Sequence, residues 1–447
     1  MVKLAKISPH VLKIISVLRN KNYEAFVVGG CVRDTFLGSE PKDWDIATAA
    51  LPNQIIECFD GHRVITTGIK HGTVTVVIGD EPFEITTYRV DGEYSDSRRP
   101  DSVSFSQSIT NDLARRDFTI NAMAWNPERG LVDPFGGQAD LAAGILRCVG
   151  NPEKRFKEDA LRIMRCVRFA AVLGFAVEEN TEKAMLALCE RLDLVARERV
   201  RTELLSALAG KNFRNVFMKY PQILFAVIPE LAASENFAHN SPYHIYDVYE
   251  HTLRAVEYAP PEPLLRMALL LHDIGKPAAY TQDADGTGHF KGHPLLSAEI
   301  ADAVLKRLRF SAVECHKITT LVKYHDKNIK ADRAEIKRWL GLLGAELFGE
   351  LVSVKIADAQ ARAKIPAQKR LQEAITLGNI AEDIIANGEC YQIAALAVSG
   401  SDLIKAGIPE GRAVGEMLQQ LLDEVINGGL ENNQAMLLER VRQLQQN

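Results

Sequence analysis

Apolar residues at Val11, Leu12, Ile15 and Leu18, opened by Ser8-Pro9, recur with a helical period and predict an amphipathic helix over residues 8–20. The run Glu24–Val28, apolar from Ala25 onward, then predicts a buried strand that ends at Gly29-Gly30. Further strand-like runs at Trp44–Ala47, Arg63–Thr67, Thr73–Ile78 and Phe83–Tyr88, punctuated by Gly, Asp and Pro, give the first third of the chain an α/β character built on a small sheet. From Arg155 onward the pattern is helical with few β-branched clusters, so the remainder is expected to be all-α. Seams are expected near Gly150-Asn151-Pro152, across residues 232–243, and more weakly near 360–370. The fold class is therefore α+β, a mixed sheet with helices followed by a helical body and tail.

Composition narrows the class without naming a function. The chain has 447 residues, 47% hydrophobic and 25% charged, enough for several domains with cores of their own. Its seven cysteines are scattered and form no C-x-x-C pair, which argues against a disulfide framework or a zinc ribbon and for a reducing cytoplasm. Lys13 interrupts the N-terminal apolar run, and no stretch approaches a membrane span. With a formal charge of −5, any nucleic acid must be held by a local basic surface, and residues 151–214 carry such a local excess of Lys and Arg.

Two constellations carry chemistry. In the first, Gly29-Gly30 lie where a strand passes into a helix, with Arg33 in the first turn, a place where a phosphate can approach backbone N–H groups. Asp43 and Asp45, two residues apart, are expected on one strand and one face, where they can clamp hard divalent cations; Glu84 on a later strand is the candidate third carboxylate. Arg116 can neutralise phosphate, and Asp117 can accept from a ribose 2′-hydroxyl. Asp159 and Arg162 are expected one helical turn apart, offering an acceptor and a donor fork that can pair with a base edge.

The string Gly29-Gly30-Cys31-Val32-Arg33-Asp34, then Leu37-Gly38 and Pro41-Lys42-Asp43-Trp44-Asp45-Ile46-Ala47-Thr48, resembles the signature of the class II tRNA nucleotidyltransferases, the CCA-adding enzymes and bacterial poly(A) polymerases. Arg115-Arg116-Asp117-Phe118-Thr119-Ile120-Asn121, Glu158-Asp159-Ala160-Leu161-Arg162 with Arg165, and Glu198-Arg199-Val200-Arg201-Thr202-Glu203 are similar to that family's later motifs, in the same order. The resemblance implies a polymerase-β-like nucleotidyltransferase head and addition of nucleotides from CTP and ATP to tRNA. It implies catalytic roles for Asp43, Asp45 and Glu84, with Mg²⁺ on Asp43 and Asp45. It also implies nucleotide contacts from Gly29, Gly30, Arg33, Arg116, Asp117, Asn121, Asp159, Arg162 and Arg165. The polar segment Tyr88–Pro100 resembles the family's flexible loop, needed for the switch to adding A, and so argues for full CCA addition or A addition alone.

The second constellation is His251, His272-Asp273 (followed by Ile274-Gly275-Lys276-Pro277), His293, His325-Asp326 and Asp358, mixed ligands that suit borderline transition metals as well as Mg²⁺ or Mn²⁺. Its spacing resembles the HD phosphohydrolases, which implies a divalent metal of open identity on His251, His272, Asp273 and Asp358. His293 and His325 would add phosphate contacts or a second metal. The expected division is thus 1–150 head, 151–235 helical neck selecting nucleotide and RNA, 236–365 HD-type domain and 366–447 helical tail. Three rivals stay open: an A-adding enzyme or poly(A) polymerase, an HD phosphodiesterase with a nucleotide-sensing head, and a non-catalytic tRNA-binding protein. The near-neutral C-terminus lacks the long basic extension that marks the poly(A) polymerases.

Overall fold

The computed structural model describes residues 7–92, 103–240, 245–362 and 364–446. The chain forms two compact units, Met1–Pro229 and Glu230–Asn447. Among the described residues, no helix is long and apolar enough to cross a membrane.

The first unit opens with helix α1 (Pro9–Asn20), strand β1 (Ala25–Val28), α2 (Gly30–Phe36), β2 (Asp45–Thr48) and α3 (Pro52–Cys58). Strands β3 (Arg63–Ile65), β4 (Thr73–Ile78) and β5 (Glu81–Thr87) follow, then a short antiparallel pair, β6 (Arg89–Asp91) and β7 (Val103–Phe105). After α4 (Ile109–Ala114), β8 (Ala124–Asn126) and β9 (Gly130–Val132) complete a seven-stranded sheet in the order β3-β4-β5-β2-β1-β8-β9. Only β2 and β5 pair in parallel, so the sheet is mixed. β1 is buried at every position, as a central strand must be, while β4 alternates between buried and partly open sides. Phe26, Val28, Ala47, Tyr88 and Leu113 belong to one core beneath β1 and β2.

The local pattern places these elements within a few residues, with one consequential difference. Asp43 lies in a bend before β2, and only Asp45 is on the strand. The two carboxylates are therefore not paired by strand periodicity. The Tyr88–Pro100 loop lies largely outside the described residues.

Helices α5 (Gly137–Ala143), α6 (Pro152–Glu158), α7 (Leu161–Leu173), α8 (Glu179–Ala187), α9 (Arg197–Leu208), α10 (Phe213–Lys219) and α11 (Pro221–Val227) fill the rest of the unit. Asn151 caps α6 by accepting from the Lys154 N–H at 2.9 Å, and Pro152 takes the first helical position, where its missing N–H costs nothing. The expected single helix over the Glu158–Arg162 motif is in fact broken. Asp159 has extended backbone (φ −141°, ψ 101°) between α6 and α7, which ends the helical register between Asp159 and Arg162.

The second unit is helical: α12 (Val248–Tyr258), α13 (Pro263–Leu271), α14 (His293–Arg307), α15 (Ala312–Tyr324), α16 (Arg333–Leu343), α17 (Ala345–Gln360) and α18 (Lys364–Ala386), then α19 (Gly400–Lys405), α20 (Arg412–Ile426) and α21 (Gln434–Gln446). Asp247 caps α12, and a Ser311–Glu314 capping box opens α15. α12, α13, α15 and α17 pack around one another, and α19–α21 close a separate apolar cluster that includes Leu403, Leu421 and Leu437.

Candidate active site and metal centre

Gly29 sits at φ +79°, where a β-carbon would also stand 2.5 Å from Arg116 Nη1. Its absence lets the arginine cross the start of α2. Arg33, in the first turn of α2, donates to Asp34 Oδ1 at 2.8 Å and to Asn121 Oδ1 at 2.6 Å. Parallel register sets Glu84 directly beside Asp45, on the same face of the sheet, and both side chains are open to solvent. Desolvation raises the Asp45 pKa, Arg116 pulls it back, and Asp43 raises it again. A cation placed here would relieve the repulsion between the two carboxylates.

Asp117 is buried, and both its oxygens are hydrogen-bonded. Its Oδ1 takes the Phe118 N–H at 2.8 Å and Asn121 Nδ2 at 3.1 Å, while Oδ2 takes Arg165 Nε at 2.7 Å and Nη2 at 2.6 Å. Burial opposes its ionisation, but Arg165, Asn121 and Arg162 overcome that and hold the carboxyl at about 2. A ribose hydroxyl reaching this carboxylate would share it with Arg165 and Asn121. Arg165 also approaches Glu203, and Arg168 lies 2.8 Å from the same carboxylate. The Phe169 ring carries Arg33, Arg165 and Arg168 around it at 5.0, 5.5 and 4.2 Å.

The helix break separates the two residues expected to act as a pair. Asp159 is held by Arg199 at 2.9 Å. Arg162 is buried, and its guanidinium donates to Glu158 (2.9 Å), the Arg155 carbonyl (3.1 Å) and the Arg115 carbonyl (3.0 Å). A cleft of about 1130 Å³ opens beside α4 and α6, lined by Asn111, Arg115, Lys154, Arg155, Lys157 and Glu158. Asp43 and Asp45 do not line it.

The predicted ligands of the second unit do converge. His251 lies on α12, His272 and His325 immediately follow α13 and α15, His293 opens α14, and Asp358 is near the end of α17. In each of these histidines Nδ1 faces a backbone carbonyl: Ala361 at 3.3 Å for His251, Leu269 at 2.6 Å for His272, Phe290 at 2.8 Å for His293, and Val322 at 2.7 Å for His325. A carbonyl only accepts, so Nδ1 carries the proton and the Nε2 lone pair turns inward. His251 Nε2 stands 3.0 Å from Asp358 Oδ1 and 3.4 Å from Asp273 Oδ2, and His272 Nε2 stands 3.1 Å from Asp273 Oδ2. On the other side of Asp273, His293 and His325 reach Oδ1 at 3.3 and 3.6 Å, with their own Nε2 atoms 3.3 Å apart.

Two lone pairs facing each other at that distance require a proton or a cation between them. His272 Nε2 and both Asp273 oxygens are, moreover, buried without a well-directed hydrogen bond. Two sets, His251–His272–Asp273 and Asp273–His293–His325, gather their donor atoms within 4.8 Å, so the donor set fits a divalent cation on either side of Asp273. Among the described residues the head carboxylates form no such set. Burial chiefly pushes His325 down, which leaves its Nε2 lone pair free, whereas at His272 the neighbouring Asp273 and Asp358 outweigh burial and favour an added proton on Nε2 that a bound cation would replace.

Three partners escape sequence reasoning. Lys276 Nζ sits 2.6 Å from Asp273 Oδ2, Arg362 Nη2 sits 2.7 Å from Asp358 Oδ2, and His239 Nε2 meets Lys276 at 3.1 Å. The first two follow their aspartates at helical spacings of three and four, a signal present in the sequence; nothing local marks His239.

The family model described as "Poly A polymerase head domain" matches residues 25–147, "Probable RNA and SrmB- binding site of polymerase A" matches 174–234, and "HD domain" matches 243–363. The CCA-adding enzyme of Lactobacillus delbrueckii subsp. bulgaricus (strain ATCC 11842) is 32% identical over 439 residues, 98% of each chain. That of Oceanobacillus iheyensis is 47% identical over 199 residues, 44% of this chain and 49% of the relative. Among solved structures, the Bacillus stearothermophilus CCA-adding enzyme in complex with CTP superposes with a TM-score of 0.72 at 28% identity, covering 98% of both chains. The Thermotoga maritima CCA-adding enzyme complexed with tRNA shares the fold, with a TM-score of 0.61 at 20% identity over 99% of this chain and 97% of the other.

The Asp117 pairing predicts a specific acid sensitivity. Its carboxyl is held at about 2 against an ordinary 3.8, so the pair stabilises the fold fully above pH 4 and ceases to do so as pH falls through 2. Denaturant titrations between pH 6 and 2 are expected to show wild type losing about 2 kcal/mol more than Asp117→Asn across that window; parallel pH profiles would contradict the pairing.

Proposed function

This chain belongs to the CCA-adding enzyme family, tRNA nucleotidyltransferases that build CCA on the tRNA 3′ end from CTP and ATP, and we propose that Asp43, Asp45 and Glu84 form its catalytic carboxylate set. The observation that carries this reading is the register of β2 with β5, which lays Glu84 beside Asp45 next to the Gly29–Arg116 crossing. In the transfer, the RNA 3′-hydroxyl releases its proton to solvent as its oxygen bonds to the α-phosphorus of CTP or ATP, the bond from that phosphorus to the oxygen bridging the β-phosphate breaks, and pyrophosphate leaves. Bound divalent cations, Mg²⁺ in our reading because every donor is a carboxylate oxygen, supply charge neutralisation and acidify the attacking hydroxyl. The backbone at Gly29-Gly30 with Arg33 and Arg116 receives the triphosphate.

Asp117 and Asn121 act chiefly by holding Arg165 and Arg33 in place. Asp159 and Arg162 face the incoming base from the break between α6 and α7, and engaging a base edge requires Arg162 to exchange one of its carbonyl partners. We divide the chain into head, neck, HD-type domain and tail at residues 150, 235 and 365. All seven cysteines are free, which fits a cytoplasmic protein.

The His251–His272–Asp273–Asp358 cluster, with His293 and His325, is in this reading a phosphohydrolase centre. A divalent cation held there supplies Lewis acidity toward a phosphate oxygen. Asp273 holds the two histidine pairs in register, and Lys276 stands ready to leave Asp273 for a substrate phosphate.

Labelled CTP and ATP, given singly and together to tRNA transcripts ending before CCA or after CC, test the head. Both nucleotides are expected to be added with a stop at CCA, and Asp43→Ala or Asp45→Ala is expected to lower the rate on the order of 10³-fold, the several kcal/mol that metal assistance supplies. Addition of ATP alone, to the CC-ended transcript only, would make it an A-adding enzyme. For the HD centre, metal analysis after dialysis is expected to show less bound transition metal in His272→Ala than in wild type, with Asp43→Ala unchanged; equal content in all three would remove the metal assignment.

A further inference from the structure

His325 and Asp358 of the histidine cluster line one part of a cleft of about 770 Å³, within the range of small-molecule sites. Its walls carry Lys327, Lys355, Lys369 and Arg370 against Asp326 and Glu373. Arg370 pairs with Asp326 at 3.0 Å, and Lys369 approaches Glu373 at 4.0 Å. Lys355 and Lys327 are different. Lys355 Nζ donates to the His325 and Lys327 carbonyls, both at 2.7 Å, which uses two of its three protons. Among the described residues neither lysine has a carboxylate within ion-pair distance. Ile329, Ala374 and Leu377 add apolar lining to the same cleft.

This arrangement is not needed to hold a metal, because the four histidines are already oriented through Nδ1 by carbonyls and the two aspartates by Lys276 and Arg362. It supplies positive charge and an apolar lining beside the place where a phosphate would be cleaved. We propose that the cleft is a subsite for a second phosphate. The substrate of the HD centre is then a small phosphate ester of nucleotide size, whose leaving group lies on Ile329, Ala374 and Leu377 and presents another phosphate to Lys355, Lys327 and Arg370. The proposal rests on the phosphohydrolase reading above. In the reaction, a water oxygen bonds to the phosphorus, the ester P–O bond breaks, and the leaving oxygen takes up a proton released by the water. Lys355 has a fixed place in this scheme because its two carbonyl bonds tether it to the segment that carries His325.

The test is equilibrium binding to the full chain stripped of divalent metal, with adenosine 3′,5′-bisphosphate and adenosine 5′-monophosphate as probes, followed by calorimetry. The bisphosphate is expected to bind about tenfold more tightly, the effect of one additional charge-assisted phosphate contact. That advantage should disappear in Lys355→Met and, as a check that does not disturb a half-buried residue, in the exposed double change Lys327→Ala with Arg370→Ala. It should persist in Arg116→Ala, which removes a phosphate contact of the head instead. Equal affinity for the two probes, an advantage that survives both cleft variants, or one that vanishes in Arg116→Ala would each overturn the proposal. Hydrolysis of p-nitrophenyl phosphate by the metal-loaded wild-type protein reports on the phosphohydrolase reading by itself, so the two can fail separately.

Discussion

The arginines at the nucleotide-binding side of the first unit depend on the buried charge of Asp117. Asp117 lies between the sheet and the helices that follow it, and a carboxylate taken out of water in this way costs several kcal/mol unless it is paired and hydrogen-bonded. Arg165 from α7, Asn121 and the Phe118 amide meet that requirement completely. Because Asn121 also holds Arg33, and Arg165 also faces Glu203 on α9, satisfying one aspartate fixes the arginines of α2 and α7 relative to the sheet. The Phe169 ring, with guanidinium groups on several sides, adds packing to the same constraint. Phosphate-binding groups held this way need little reorganisation when a triphosphate arrives, which is the physical content of electrostatic preorganisation.

The second unit solves the same problem differently. Asp273 and Asp358 are as deeply buried, and their compensation is divided between permanent cations, Lys276 and Arg362, and a ring of histidines whose lone pairs face inward. An ion pair alone would have sufficed for stability. Turning the Nε2 atoms of His251, His272, His293 and His325 inward, each with Nδ1 tied to a carbonyl, makes sense only if something positive is to be bound there. The head, by contrast, leaves Asp45 and Glu84 open to solvent, where a cation can enter together with the nucleotide it carries.

Much of this was legible in the sequence because it rests on short-range patterns. The alternation of Thr73–Ile78, the apolar run at β1 and the Gly29-Gly30 turn follow from periodicity and from backbone sterics at φ +79°. What escaped depends on tertiary partners or on local breaks. Two residues of separation suggested that Asp43 shares a strand with Asp45, yet the strand begins only at Asp45 itself, two residues too late. Three residues of separation suggested one helical face for Asp159 and Arg162, yet extended backbone at Asp159 intervenes, and Arg199, 40 residues away, takes its carboxylate. The three-residue strands β8 and β9 are too short to show a period of two, and they exist because β1 offers an edge to pair with. His239 has no local signature at all; only the fold brings it to Lys276.

If the Asp117–Arg165 pair organises the nucleotide site, then removing either partner should do most of the damage of removing both. A double-mutant cycle with Asp117→Asn and Arg165→Met, read as kcat/KM for CTP incorporation, measures this directly. The account predicts that the double variant is little worse than either single one, with a coupling above about 1.5 kcal/mol. Effects that add to within about 0.5 kcal/mol would contradict it, and would mean that the two residues meet the nucleotide independently.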